Sequence, residues 1–142
     1  MARRRRATKQ ADGFAQFDSQ LDSFSEDLQG KAQEFRNAVA IWFLEHVVEL
    51  SPVDTGRFKN NWRVAINRPQ LNALKGVDKT GARALAIGTA TIEKARPDDD
   101  IWITNNVSYA LYLEFGTELM EPRRTLGQVI DLLDGWSLSQ AA

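Results

Sequence analysis

Between Ser19 and Leu50 the apolar residues Leu21, Phe24, Leu28, Phe35, Val39, Trp42, Phe43, Val47 and Leu50 recur at spacings of three, four and seven, with Ala32 filling the one gap. Residues three and four apart share a helical face, so this spacing describes one stripe of a long amphipathic helix. Gly30 costs about 1 kcal/mol relative to Ala inside a helix, which marks the first turns as a separate or kinked segment. At 1.5 Å per residue a helix of about 30 residues reaches roughly 45 Å. That exceeds the diameter of a domain this small, so part of the stripe is expected to meet another subunit.

Ser51-Pro52 ends this helix, because the residue before a proline is pushed out of the helical region, and Asp54-Thr55-Gly56 follows as turn chemistry. Trp62, Val64 and Ile66 then alternate with Arg63, Ala65 and Asn67, the pattern of a half-buried strand. Residues 68–81, with Pro69, Gly76 and Gly81, read as a loop free to move. Ala82 to Ala95 predicts a helix with Leu85, Ala86 and Ile92 inward, weakened by Gly88 and its threonines. After the polar break Arg96-Pro97-Asp98-Asp99-Asp100, Ile101, Trp102 and Ile103 predict a second short strand, antiparallel to the first. Tyr109 to Phe115 predicts a helical turn or two stopped by Gly116. After Pro122 a last helix places Leu126, Val129, Ile130 and Leu133 on one face and ends near Gly135.

These elements define an α+β fold: a long N-terminal helix packed on a small antiparallel sheet with further short helices. The 142 residues suit one domain, 43% of them hydrophobic, and a chain of about 150 residues buries roughly 68–70% of its unfolded surface. The expected organisation is a basic flexible arm over 1–18, a single domain over 19–136 and a flexible C-terminus over 137–142. The chain has no cysteine and one histidine, His46. A disulfide framework is thereby excluded and a zinc cluster disfavoured, and no cofactor is expected. No apolar run approaches the roughly 20 residues of a membrane span, and the Arg-rich start lacks the apolar core of a secretory signal.

Charge changes the picture at one end only. The net charge is −1, yet Arg3, Arg4, Arg5, Arg6 and Lys9 concentrate +5 ahead of a body that carries −6. Such an arm suits DNA or an acidic protein surface, and equally a solvated tail.

Two segments carry the most specific signal: Ser51-Pro-Val-Asp-Thr-Gly-Arg-Phe-Lys-Asn-Asn-Trp62 and, about fifty residues on, Asn106-Val-Ser-Tyr-Ala-Leu-Tyr-Leu-Glu-Phe-Gly-Thr117. Their order and separation, behind a helix of this length, resemble the tail-completion and neck proteins of long-tailed bacteriophages, the minor tail protein Z type. The resemblance spans roughly residues 30–134 and rests on Asp54, Thr55, Gly56, Arg57 and Trp62 with Tyr109, Tyr112, Glu114, Phe115, Gly116 and Thr117. It implies a virion structural protein in a homo-oligomeric ring, six-fold as tails generally are, at the head–tail junction or the top of the tail. Implied partners are further copies of the chain, neighbouring neck, connector or tail proteins, and DNA in the channel, with no membrane. The implied location is the virion, with the host cytoplasm during assembly. The chain departs from the family pattern after Thr117, where Glu118-Leu-Met-Glu-Pro122-Arg-Arg replaces the usual small residues.

Read without the family, Asp54 accepts backbone N–H bonds within a turn, Gly56 supplies positive φ, and Arg57 seeks a carboxylate, for which Glu114 is the natural candidate. Asp54-Thr55-Gly56 is also the triplet of aspartic proteases, whose dimeric forms pair two such carboxylates. That enzyme places the triplet at the end of an apolar strand in an all-β fold, whereas Ser51-Pro52 precedes it here and Arg57 follows. Trp62, Trp102, Tyr109 and Tyr112 could stack nucleic-acid bases, yet aromatics at such spacings favour the core. Asp98, Asp99 and Asp100 read as a solvated turn rather than a calcium loop. The sequence therefore points to a structural protein rather than an enzyme, with a dimeric protease and a nucleic-acid module using the Arg arm as the other readings.

Overall fold

A computed structural model describes residues 2–141, with side chains described over 13–135. The elements run α1 (Ala2–Leu50), α2 (Arg57–Asn60), β1 (Trp62–Ile66), α3 (Ala82–Glu93), β2 (Ile101–Asn105), α4 (Ala110–Phe115) and α5 (Thr125–Ala141). The class is α+β, as the alternation of helical and strand periods predicts. Chain contacts divide it into two units, residues 1–36 and 37–142.

The first unit is helical from Ala2 onward, so α1 begins well before the predicted Ser19 and continues through Gly30. Its described residues 13–32 are all exposed. The side chains of Arg3, Arg4, Arg5 and Arg6 lie outside the described residues.

In the second unit β1 and β2 pair antiparallel with Trp62 opposite Asn105, Val64 opposite Ile103 and Ile66 opposite Ile101. A two-stranded ribbon is marginal alone in water, and here helices cover it. Gly88 is what lets α3 approach: a Cβ there would run into Leu44 Cδ2 and lie 2.9 Å from Val64 Cγ2. The residue that weakens α3 as an isolated helix thus brings α1, α3 and β1 together. The buried face of α3 is Ala84, Gly88 and Ile92, while Ala86, expected inward, is exposed. The inward set shifts because the helix meets its neighbours at Gly88.

The core comprises Ala40, Leu44, Val47, Val48, Phe58, Trp62, Ala84, Ile92, Val107 and Val129. The indole N–H of Trp62 donates to Ser51 Oγ at 2.6 Å, and that hydroxyl donates to the carbonyl of Val47. Ser51 therefore satisfies the indole and the end of α1 together, as a buried polar group must be. Phe58 meets Trp62 edge-on at 5.7 Å.

α5 runs past Gly135 to Ala141. Val129 is fully buried but Ile130 is half exposed, because the apolar face covers less of this helix than its periodicity predicts. Trp102 is also more exposed than a core residue, since alternate positions of β2 face away from the helices.

A clasp and a cleft built by the two motifs

The Ser51–Trp62 and Asn106–Thr117 segments lie on separate elements, and the fold brings them to one place. A cleft of about 590 Å³ is lined by Pro52, Val53, Asp54, Thr55, Gly56, Arg57 and Phe58 from the first segment, by Tyr109 and Leu113 from the second, and by Met120 and Arg123. Tyr109 sits beside Phe58 at 6.4 Å between ring centroids. Tyr112 and Phe115, with Leu111, point outward and are exposed, so of the two tyrosines only Tyr109 joins the core as expected.

Gly56 has φ 89, and a Cβ there would lie 2.5 Å from Lys79 N and 2.6 Å from Asp78 C. Only a residue without a side chain permits that approach in that conformation. The Gly56 carbonyl accepts from Asn60 N at 3.0 Å and Asp78 N at 3.1 Å, so the turn is joined to the end of the 67–81 loop. Arg57 Nε donates to the Leu74 carbonyl at 3.3 Å. Asn61, fully buried, donates to Arg57 O at 2.7 Å and Leu74 O at 3.1 Å and accepts from Leu74 N at 2.6 Å. Arg63 holds the Asn72 carbonyl at 3.0 Å and Asn106 holds that of Gln70 at 2.6 Å. The loop read as free to move is thus fastened along its length.

Asp54 is exposed and accepts no hydrogen bond among the described residues. The expected turn acceptor is instead Thr55 Oγ1, 3.2 Å from Arg57 N. Asp78 makes the carboxylate cap: it accepts from Thr80 N and Oγ1 at 2.9 and 2.7 Å and from Arg83 N at 3.0 Å. The Thr80 hydroxyl, then the backbone N–H groups of Arg83 and Thr80, hold its pKa down at about 2.

Glu114 does not pair with Arg57. Its carboxylate accepts from Leu126 N at 3.0 Å and Gly127 N at 2.9 Å, capping the first turn of α5. A carboxylate is favoured there because it satisfies orphan N–H groups at the positive end of the helix dipole. Arg123 N donates to Leu113 O at 2.7 Å and Arg124 N to Glu114 O at 3.3 Å, so the end of α4 and the start of α5 are clasped by backbone as well. Gly116 N caps α4 on Tyr112 O at 2.8 Å, and Thr117 pairs with Met120 in a tight reversal. The segment after Thr117, where the family pattern is lost, supplies this return.

Sequence reasoning missed Asn61, Asp78 and the true partner of Glu114. Asn61 and Asp78 each stand beside a turn or helix start, the signal that marks a side chain able to satisfy backbone groups. Asp99 shows the same habit, accepting from Asn67 Nδ2 at 2.9 Å and Arg96 N at 2.7 Å. Among the described residues no group of acidic, histidine or cysteine side chains could hold a metal ion, and no helix is long and apolar enough to cross a membrane. The Asp54 triplet lies in the turn between α1 and α2, not at the strand end that the protease reading requires. His46 Nδ1 bonds the Trp42 carbonyl at 2.7 Å, within its own helix.

Thr55, Gly56, Arg57, Trp62, Glu114, Gly116 and Thr117 are thus spent on turns, caps and anchors, while Tyr112 and Phe115 stay exposed. The profile of the family described as "Bacteriophage HK97-gp10, putative tail-component" matches residues 15–116. The chain belongs to that family. The match ends at Gly116, just before the departure noted after Thr117. Comparison with curated proteins and with solved structures finds no match.

Proposed function

We propose that this tail component acts as a homo-oligomeric ring, six-fold, at the head–tail junction or the top of the tail of a long-tailed phage, completing the tail or joining it to the head. Its work is mechanical rather than catalytic: subunits bind one another and the neighbouring neck or connector proteins. The observation that carries this reading is the apolar surface α4 presents beside the clasp. Leu111 is 71% exposed, Tyr112 59% and Phe115 74%. Apolar surface on a short helix held rigidly by Glu114 and Gly116 is what a protein–protein contact needs. In this reading Asp54 to Arg57, Trp62, Glu114, Gly116 and Thr117 set the position of that surface, and Tyr112 and Phe115 touch the neighbour.

The double variant Leu111→Asp, Phe115→Asp tests it. Both residues are surface positions, so melting should move little while the ring dissociates in size-exclusion light scattering and joined particles fall in a complementation assay. Unchanged oligomer size and unchanged particle yield would remove α4 from the interface.

A further inference from the structure

The exposed half of α1 carries a pattern stricter than amphipathicity. Phe14, Leu21, Leu28 and Phe35 are spaced by seven, and Phe17, Phe24 and Lys31 interleave at the alternate three-and-four positions. The apolar members, Phe14, Phe17, Leu21, Phe24, Leu28 and Phe35, are each between 49% and 63% exposed. A straight α-helix drifts by about 20° per heptad relative to a seven-residue repeat, so a stripe this regular stays continuous only if helices wind around one another with a left-handed supercoil.

We infer that residues 14–35 form a parallel, in-register coiled coil with the same segment of neighbouring copies of this chain. The inference rests on the ring reading, because cyclic symmetry relates copies by rotation about one axis and keeps equivalent residues at equal height. The charges flanking the seam agree with that register. Parallel pairing sets Gly13 against Asp18, Gln20 against Ser25 and Asp27 against Ala32 of the neighbour, so no flanking charges of like sign are opposed, and the like charges that do meet are the Lys31 pair in the seam. Asp22 and Glu26 occupy positions that turn away from the seam. Lys31 is the single polar residue in it and meets only its own equivalent, one helical turn from Asp27 and Glu34 of its own chain. A lone polar seam position fixes register. The reversed arrangement with Leu21 opposite Phe24 would place Lys31 against Phe14 and carry Phe35 past the end of the stripe.

The chain contains no cysteine, which makes single-cysteine cross-linking of the full-length protein clean. Leu21→Cys and Leu28→Cys, both in the seam, should each form intermolecular disulfides under mild oxidation, at least about ten-fold faster than Ser19→Cys on the opposite face. Circular dichroism shows whether each variant remains folded, and two seam variants guard against loss of one. Equal rates for seam and outer positions would overturn the inference, as would linkage only in a mixture of Leu21→Cys with Phe24→Cys, the mark of antiparallel pairing. Rings that persist without seam cross-links would overturn the coiled coil and leave the ring standing. Seam cross-links in a protein that never exceeds the linked oligomer would instead remove the ring.

Discussion

Leu28 and Leu44 are the same residue on the same helix, yet Leu28, on the stripe that the spacing marks, is 52% exposed, while Leu44, off that stripe beside Ala40 and Val48, is fully buried. The difference lies in what each half of α1 has to meet. Around Leu44 the chain supplies its own cover, with Gly88 admitting α3 against it and Val64 of β1 packed on the same core. Around Leu28 every described residue from 13 to 32 is exposed. Periodicity therefore marks apolar positions along a helix and is silent on which of them this chain covers: of the stripe's members from Val39 to Leu50 only Val47 is buried, and Ala40, Leu44 and Val48, which the stripe omits, share the core with it.

That contrast can be tested by cutting the two leucines alike. Leu44→Ala should cost about 2–5 kcal/mol of unfolding free energy, as truncations at well-packed sites do, measured by denaturant melts. Gly88→Ala should cost about 1–3 kcal/mol, since the added methyl meets Leu44 and Val64 in an already filled space. Gly30 is the control in the other half, because a Cβ there meets nothing within 4 Å. Gly30→Ala should stabilise the helix by up to about 1 kcal/mol, visible as slower amide exchange over residues 13–36. Leu28→Ala should change the unfolding of the dilute protein by less than about 0.5 kcal/mol while weakening its association. A large intrinsic loss at Leu28 would erase the contrast.

The strands and the short helices are legible in the sequence, while the buried face of α1 is not. The strands could be located because Trp62-Arg-Val-Ala-Ile66 alternates, and α4 because Gly116 stops a short apolar run. Buried partners at long separation were not legible. Arg57 and Glu114 looked like a pair because opposite charges are the simplest match, but Glu114 found the N–H groups of α5 and Arg57 found a loop carbonyl. Backbone groups carry no signature in the sequence, so their claims on a side chain emerge only once the elements are placed. Asp54 and Asp78 teach the same lesson. Both stand in turn-forming contexts, and only Asp78 lies where N–H groups converge.

The claim at the centre is that this tail component works by assembling with itself, and native mass spectrometry of the full-length protein tests it most directly. A dominant species at six times the 16.0 kDa chain mass, losing its integrity when Leu111 and Phe115 are replaced by Asp, is the predicted result. A single-chain mass that persists as the protein concentration is raised into the hundred-micromolar range would contradict it.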